Sequence, residues 1–157
     1  MNENIKKVAL KELYPIIKEQ LECGRTVALP ITGTSMLPLL VAGRDNVILS
    51  SVDKPDINDI IFYRRDNGQF VLHRIVGTDE NGYILCGDNQ WFKEYGIKDH
   101  NIIGVVTEIK RKGKIFDVNN PKYIKYYKIW LKLFPIRKPL VKIHTILRVI
   151  KRKMSSR

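Results

Sequence analysis

A mostly β domain with helical extensions at both ends is the fold class that this sequence predicts. Short β-type runs separated by turn residues occupy the region from about residue 26 to residue 118, and residues with helical spacing lie on either side. A length of 157 residues fits one domain with an appendage. We therefore expect an amphipathic helix at 1–24, a β-rich domain at 25–118 and a basic helical tail at 119–157.

The N-terminal segment predicts an amphipathic helix over residues 3–22. Its apolar residues recur at spacings of three and four, and Gly24 is a plausible end. Charges recur every few positions, so the segment lacks the unbroken apolar core of a secretory signal and the roughly 18 apolar residues of a spanning helix. The predicted apolar face consists of Leu10, Leu13, Ile17 and Leu21, widened by Ile5, Ala9 and Ile16.

Seven runs rich in β-branched and aromatic residues predict short strands. Turn residues such as Asn81-Gly82 and Lys112-Gly113 divide them. Several short strands at this spacing favour a folded, mostly antiparallel β-barrel. The runs are Thr26–Ile31, Asn46–Val52, Asp59–Arg64, Phe70–Val76, Tyr83–Cys86, Ile102–Lys110 and Lys114–Val118.

The excess of positive charge lies in the tail. The chain has 28 Lys and Arg against 16 Asp and Glu, for a net charge of +12. Residues 1–117 hold 16 side chains of each sign, whereas residues 118–157 hold 12 basic side chains and no acidic one. A neutral domain with a basic tail favours an electrostatic anchor and argues against a uniformly basic nucleic-acid-binding domain.

Two basic helices are predicted in the tail, at 121–134 and at about 140–153. The first has lysines on one narrow face and aromatic and leucine side chains on the broad opposite side. Such helices bind membrane interfaces, so we expect a membrane surface to bind residues 121–153. Two alternatives are open: the apolar face packs on the β domain and leaves a solvated lysine face, or the tail binds nucleic acid or an acidic peptide, which is the least favoured.

The stretch Ile31–Pro38 (ITGTSMLP) is the most informative for chemistry. Gly33 permits close backbone approach, and Pro38 stiffens the exit from the turn. Such a junction can expose the Ser35 hydroxyl beside free backbone N–H groups, which a nucleophilic serine needs along with a base. Taken alone, the stretch fits a polar turn with a buried methionine equally well.

Two further elements could complete a site with Ser35. In a strand over Phe70–Val76, His73 points to the same side as its apolar neighbours Val71 and Ile75, which suits a neutral, oriented base. Asp88 follows the next strand and could orient the imidazole. Each also has a structural interpretation, as a half-buried strand histidine and as an aspartate that caps its own turn.

These motifs, in this order, resemble those of the type I signal peptidases. Ser35-Met36-Leu37-Pro38 matches the S-M-x-P serine box of that family, and Gly87-Asp88-Asn89 matches its G-D-N box. Asp59–Tyr63 resembles the intervening G-D-I-V-x-F strand, with Asn58 where glycine is usual. The resemblance covers about residues 25–110 and implies the signal-peptidase-like fold.

The resemblance also implies catalytic roles. Most bacterial members carry lysine as the base, whereas His73 within L-H-R-I-V-G looks like the archaeal and endoplasmic-reticulum branch, which uses Ser-His and an aspartate. It therefore implies Ser35 as the nucleophile, His73 as the general base and Asp88 as the orienting acid. Glu94 is the nearest candidate for the second acid that often follows the G-D-N box.

The same resemblance implies the surroundings of the reacting bond. An oxyanion hole would use the backbone N–H of Ser35 and the position of Gly33, which lacks the hydroxyl found there in many members. Met36 and Pro38 are expected to contact the substrate. No metal or organic cofactor is implied.

The expected activity is that of a serine endopeptidase that cleaves signal or leader peptides after small residues. Family members carry a transmembrane helix just before the serine box, whereas this chain has a charged amphipathic helix. We therefore expect peripheral membrane association, on a side of the membrane that is left open and that includes the cytoplasmic one. The alternatives are a maturation protease dedicated to one secreted or modified peptide, and a non-catalytic β module that binds membrane or nucleic acid.

Overall fold

A computed structural model describes residues 3–139 together with residues 143, 146 and 147. Its helices and strands follow in chain order, with two short 3-10 helices at Asp99–Asn101 and Phe134–Ile136. The elements are α1 (Glu3–Glu22), β1 (Val27–Pro30), β2 (Asp45–Ser50), β3 (Ile60–Arg64), β4 (Phe70–Asp79), β5 (Gly82–Cys86), β6 (Glu94–Ile97), β7 (Ile102–Arg111), β8 (Lys114–Asp117) and α2 (Pro121–Lys132).

The strands form one eight-stranded antiparallel sheet. Its order is β1-β2-β7-β3-β4-β5-β6, and β8 pairs with β7 outside this path. The predicted mostly β class is confirmed, but the predicted barrel is wrong, because β1 and β6 at the two ends of the order do not pair and the sheet stays open. Closure requires every strand to be hydrogen-bonded on both sides.

All seven predicted strands are present, with ends that differ by at most three residues. The structure also contains an eighth strand, β6, which the sequence does not predict. This strand has only four residues and contains Gly96 at a φ of 76°. Glycine weakens a strand pattern and indicates a bend. β6 nevertheless pairs with β5 and brings Glu94 opposite Leu85.

The two faces of the sheet bury two separate clusters. The alternation predicted for β4 is confirmed, since Phe70 and Leu72 pack in one cluster and Val71 and Ile75 in the other. The first cluster contains the buried residues Ile17, Leu21, Met36, Leu40, Val47, Leu49, Ile60, Phe62, Val106 and Ile109. The second contains Ile61, Tyr63, Ile75, Tyr83, Leu85, Ile97 and Val105.

The helix α1 packs on the first cluster along a narrower face than the sequence predicts. Ile17 and Leu21 are buried, whereas Leu13 and Ile16, placed on the same face by their spacing, are about half exposed. A single helix resting on one face of a sheet buries only the stripe that touches it.

The helix α2 begins where the sequence predicts. The side chain of Asn120 accepts a hydrogen bond from the Lys122 N–H, and Pro121 occupies the first turn. The second predicted helix, at about 140–153, lies almost wholly outside the described residues. Within the described residues, no helix combines the length and apolar character needed to cross a bilayer.

Candidate active site

The loop that carries Ser35 is held against the G-D-N turn that follows β5. The Asn89 N–H donates to the Ser35 carbonyl at 2.7 Å. A side chain at position 87 would clash, because a Cβ on Gly87 would lie 2.6 Å from the same carbonyl oxygen. Glycine at this position therefore lets the two boxes meet through their backbones.

The far end of the same loop is anchored by Asp45, the first residue of β2. Arg44 and Arg111 both donate to its buried carboxylate, and the Arg111 Nη2 also donates to the Leu39 carbonyl at 2.6 Å. Burial opposes ionisation of Asp45, but these hydrogen bonds outweigh it and hold the pKa of Asp45 well below its usual range. The segment around Ser35 thus runs between two fixed points.

His73 lies in the middle of the sheet, close to this loop in the strand pairing. On one side it faces Ile61 of β3, and on the other side β5 ends at Cys86, opposite Arg74. The G-D-N turn begins directly after Cys86, so the serine box and His73 lie at the same end of the β4–β5 pair. The imidazole is buried, with 2% of the residue surface exposed.

No hydrogen bond joins the Ser35 hydroxyl to the His73 imidazole, although both residues belong to the described part of the chain. In enzymes without bound substrate such a contact is often long or poorly aligned and shortens in the complex. The structure therefore does not contain the contact that proton transfer requires, and the serine loop is connected to this part of the sheet through the backbone contact between Ser35 and Asn89.

The His73 Nδ1 is engaged by a chain of polar groups on its face of the sheet. It lies 3.2 Å from the Tyr63 hydroxyl, which donates to Glu94 Oε2 at 2.8 Å. Arg65 donates to the same carboxylate through two nitrogen atoms. The Glu94 Oε2 itself is 3.8 Å from Nδ1.

The surroundings of these polar groups keep the imidazole of His73 neutral and the carboxylate of Glu94 charged. Burial lowers the pKa of His73 to about 4, although Glu94 and Asp88 pull it upwards. Burial opposes ionisation of Glu94, but hydrogen bonds from Arg65 and Tyr63 prevail and lower its pKa. Burial and the contact with Glu94 raise the pKa of Tyr63, which therefore keeps its proton.

Asp88 does not take the place that the sequence suggests. Its carboxylate accepts from Arg74 Nε at 2.9 Å and from Arg74 Nη2 at 2.8 Å. Arg74 follows His73 in β4 and points to the opposite face of the sheet. Asp88 therefore binds Arg74 and, among the described residues, makes no hydrogen bond that would orient the His73 imidazole. The expectation that Asp88 is the orienting acid is corrected by this geometry, which offers Glu94 instead.

The aromatic face of α2 closes over the Arg74–Asp88 pair. Tyr123 accepts from Arg74 at 3.0 Å, Tyr126 donates to the Asp88 carboxylate at 3.4 Å and the Trp130 Nε1 donates to the Asp88 carbonyl at 2.7 Å. The Arg74 guanidinium also lies over the rings of Tyr123 and Tyr127. This helix packs on the domain through the side chains that were expected to face a membrane.

The remaining predicted site residues divide into two groups. The backbone N–H groups of Gly33 and Ser35 have no acceptor among the described residues and are free to stabilise an oxyanion. Pro38 is exposed, as a substrate contact requires. Met36 is not available to substrate, because it is 3% exposed in the first core cluster, so its expected role is corrected to core packing.

Sequence reasoning missed Tyr63 and Arg65. Tyr63 lies on the same face of β3 as Ile61, which pairs with His73, and Arg65 directly follows the strand. The alternation was visible in the sequence, but the pairing of β3 with β4 was not. No cluster of metal-ligating side chains occurs in the residues that the structure describes.

We predict that Asp88→Asn lowers the free energy of unfolding by about 3–5 kcal/mol, because it leaves the buried Arg74 charge without a partner. Urea unfolding measures the change. Glu22→Gln is the matched control, since it removes an exposed pair with Lys18 and should cost less than about 1 kcal/mol. Equal effects of the two substitutions would contradict the structural role of the pair. If Asp88→Asn does not fold, Arg74→Met combined with Asp88→Leu should restore folding.

We predict that His73 makes stability depend on pH. Because its pKa of about 4 in the folded protein is below the ordinary 6.5, only the unfolded chain takes up this proton between those values. The contribution, about 3 kcal/mol, is complete above the ordinary pKa and is lost as the pH falls towards 4. Unfolding of the wild type and of His73→Gln, compared from about pH 7 to about pH 4, should show a steeper loss in the wild type. Parallel curves would disprove the assignment.

No protein-family model, curated protein or solved structure matches this chain. What these side chains can do follows from their own positions: the serine loop contacts the G-D-N turn through its backbone, and the buried, neutral imidazole of His73 has its Nδ1 facing a tyrosine and a carboxylate.

Proposed function

We propose that this protein is a serine peptidase in which Ser35 is the nucleophile and His73 is the general base. The observation that carries this proposal is the environment of the imidazole, whose Nδ1 faces Tyr63 and Glu94. A base for serine must be neutral at working pH and held in one orientation. Both properties are supported by burial of His73 and by its polar contacts.

The hydrogen bonds determine which nitrogen of His73 carries the proton. Tyr63 has one hydroxyl proton, and it is donated to the ionised Glu94 carboxylate. The Tyr63 oxygen must then accept, so the Nδ1 of His73 is the donor. The lone pair consequently lies on Nε2, the nitrogen able to accept the serine proton.

The reaction follows from this tautomer. The Ser35 oxygen attacks the scissile carbonyl while its proton passes to Nε2, and the free N–H groups of Ser35 and Gly33 stabilise the oxyanion. The imidazolium then protonates the leaving amine, which leaves an acyl-enzyme. A water molecule gives its proton to Nε2 and attacks the ester, and this proton returns to Ser35 as the acid product leaves. Glu94 stabilises the charged imidazole through Tyr63.

The strand β1 supplies a place for a peptide substrate. It is the last strand of the sheet on its side, so one row of its backbone groups has no strand partner in the described sheet. An extended peptide can pair with such an edge and run towards Ser35, five residues beyond the end of β1 at Pro30. Signal or leader peptides with small residues before the cleaved bond are the proposed substrates, and this choice rests on the resemblance of the serine and G-D-N boxes.

Two alternatives stay in view. A maturation protease for one secreted or modified peptide would use the same chemistry, and processing of many unrelated precursors would exclude it. A non-catalytic β module is favoured by the missing hydrogen bond between Ser35 and His73. For that module, a serine-reactive phosphonate would not label Ser35, and the protein would bind nucleic acid or lipid in a salt-sensitive manner.

We predict that Ser35→Ala and His73→Gln each lower cleavage of a peptide with an Ala-x-Ala site by at least about 10³-fold, because the nucleophile or its base is lost. Product formation is measured by mass spectrometry, and circular dichroism confirms that the variants fold. Ser51→Ala, at an exposed serine of the same domain, is the control and should cleave like the wild type. Retained cleavage by Ser35→Ala would refute the peptidase assignment.

We predict that Tyr63→Phe lowers kcat by at least about tenfold, because the Nδ1 of His73 loses its acceptor. This loss would be a part of the roughly 10²–10⁴-fold that general base catalysis contributes. Glu94→Gln should lower kcat as well and move the acid limb of the pH profile to lower pH, since its carboxylate raises the pKa of His73. Tyr83→Phe is the control, because it removes a hydroxyl of β5 that donates to Asp99 of the 3-10 helix. An unchanged acid limb in Glu94→Gln would show that Glu94 is not coupled to the base.

A further inference from the structure

We propose that the outer face of α2 docks on an anionic lipid bilayer. This face, called here the lysine face, consists of Lys125, Lys128, Ile129 and Lys132. These residues follow at helical spacings of three and four and therefore lie side by side. The proposal concerns a binding surface and is independent of the chemistry at Ser35.

The lysine face is outward because the opposite face of the helix is occupied. Tyr123 and Tyr126 contact the Arg74–Asp88 pair, and Trp130 bonds the Asp88 backbone. The three lysines are exposed, and Ile129 is 50% exposed. With Pro121 and Ile124, these side chains line a shallow open groove along the helix.

The charge around the lysine face has one sign. Asp117 is the last acidic residue of the chain, and 12 basic residues follow it. Each lysine close to an anionic membrane surface contributes about 1 kcal/mol, and no neighbouring carboxylate in this part of the sequence offsets that attraction. The surface is thus complementary to a negatively charged partner.

Aliphatic side chains indicate that this partner is a bilayer and not a nucleic acid. Besides Ile129, the residues Ile136, Ile143, Ile146 and Leu147 are each more than half exposed. Such side chains gain free energy by entering the interface between headgroups and acyl chains, whereas phosphate contacts do not require them. The aromatic rings of α2 on which bases would stack face the protein instead.

Docking through this face would hold the candidate active site close to the lipid. A helix with its side chains is about 10 Å across, and the inner face of α2 bonds the turn that touches Ser35. A precursor anchored in the same bilayer would then meet the serine loop at short range. This last consequence rests on the proposed peptidase function, whereas the docking itself does not.

The experiment measures binding of the full-length protein to vesicles by co-sedimentation. We expect binding to vesicles of phosphatidylcholine with phosphatidylglycerol, weak binding to phosphatidylcholine alone, and weakening by added salt. The combined variant Lys125→Gln, Lys128→Gln and Lys132→Gln should lose about 100-fold in affinity for the anionic vesicles. Lys54→Gln, Lys110→Gln and Lys114→Gln together change the net charge equally at exposed positions of the β domain, and should lose far less.

A second variant distinguishes binding to lipid from binding to nucleic acid. Ile129→Asn keeps every charge and should weaken vesicle binding severalfold while leaving any binding to a single-stranded oligonucleotide unchanged. The proposal is overturned if the two lysine variants lose affinity equally, or if the protein binds the oligonucleotide but not the anionic vesicles. Because no step measures cleavage, Ser35→Ala should bind vesicles like the wild type whether or not the peptidase proposal holds.

Discussion

The buried ion pair between Arg74 and Asp88 is the interaction on which the rest of the site depends. Both side chains are 1% exposed, so their charges would be costly to bury without each other. Arg74 has all three nitrogen atoms engaged, since it also donates to the Asn58 carbonyl and to Tyr123. The pair joins β4 to the G-D-N turn, and the same turn holds the serine loop and receives α2.

Because of this ion pair, Asp88 and Glu94 have different roles in the site. Successive residues of β4 point to opposite faces, so Arg74 takes Asp88 on one face while His73 meets Tyr63 and Glu94 on the other. Asp88 holds the G-D-N turn against β4. Glu94, bound by Arg65, acts on the charge and the orientation of the imidazole.

Most of the fold was predictable because its signals are local. Alternation in β4 and the turn residues after it predict that His73 lies on a buried face. The open sheet edges and the short strand β6 were not predictable in this way, because each depends on which segments meet. The helical pattern of residues 121–134 was clear, yet pattern alone does not decide whether the aromatic face packs on protein or on lipid.

The amino-acid sequence by itself determined the mostly β class, the extent of α1, the start of α2, the serine and G-D-N boxes and the accumulation of positive charge after residue 117. These properties arise from neighbours in the chain. Only the tertiary structure decided that Asp88 binds Arg74, that Tyr63 links His73 to Glu94, and that the lysines of α2 face outward. Those outcomes depend on strand register and helix packing, which are set by contacts between residues far apart in sequence.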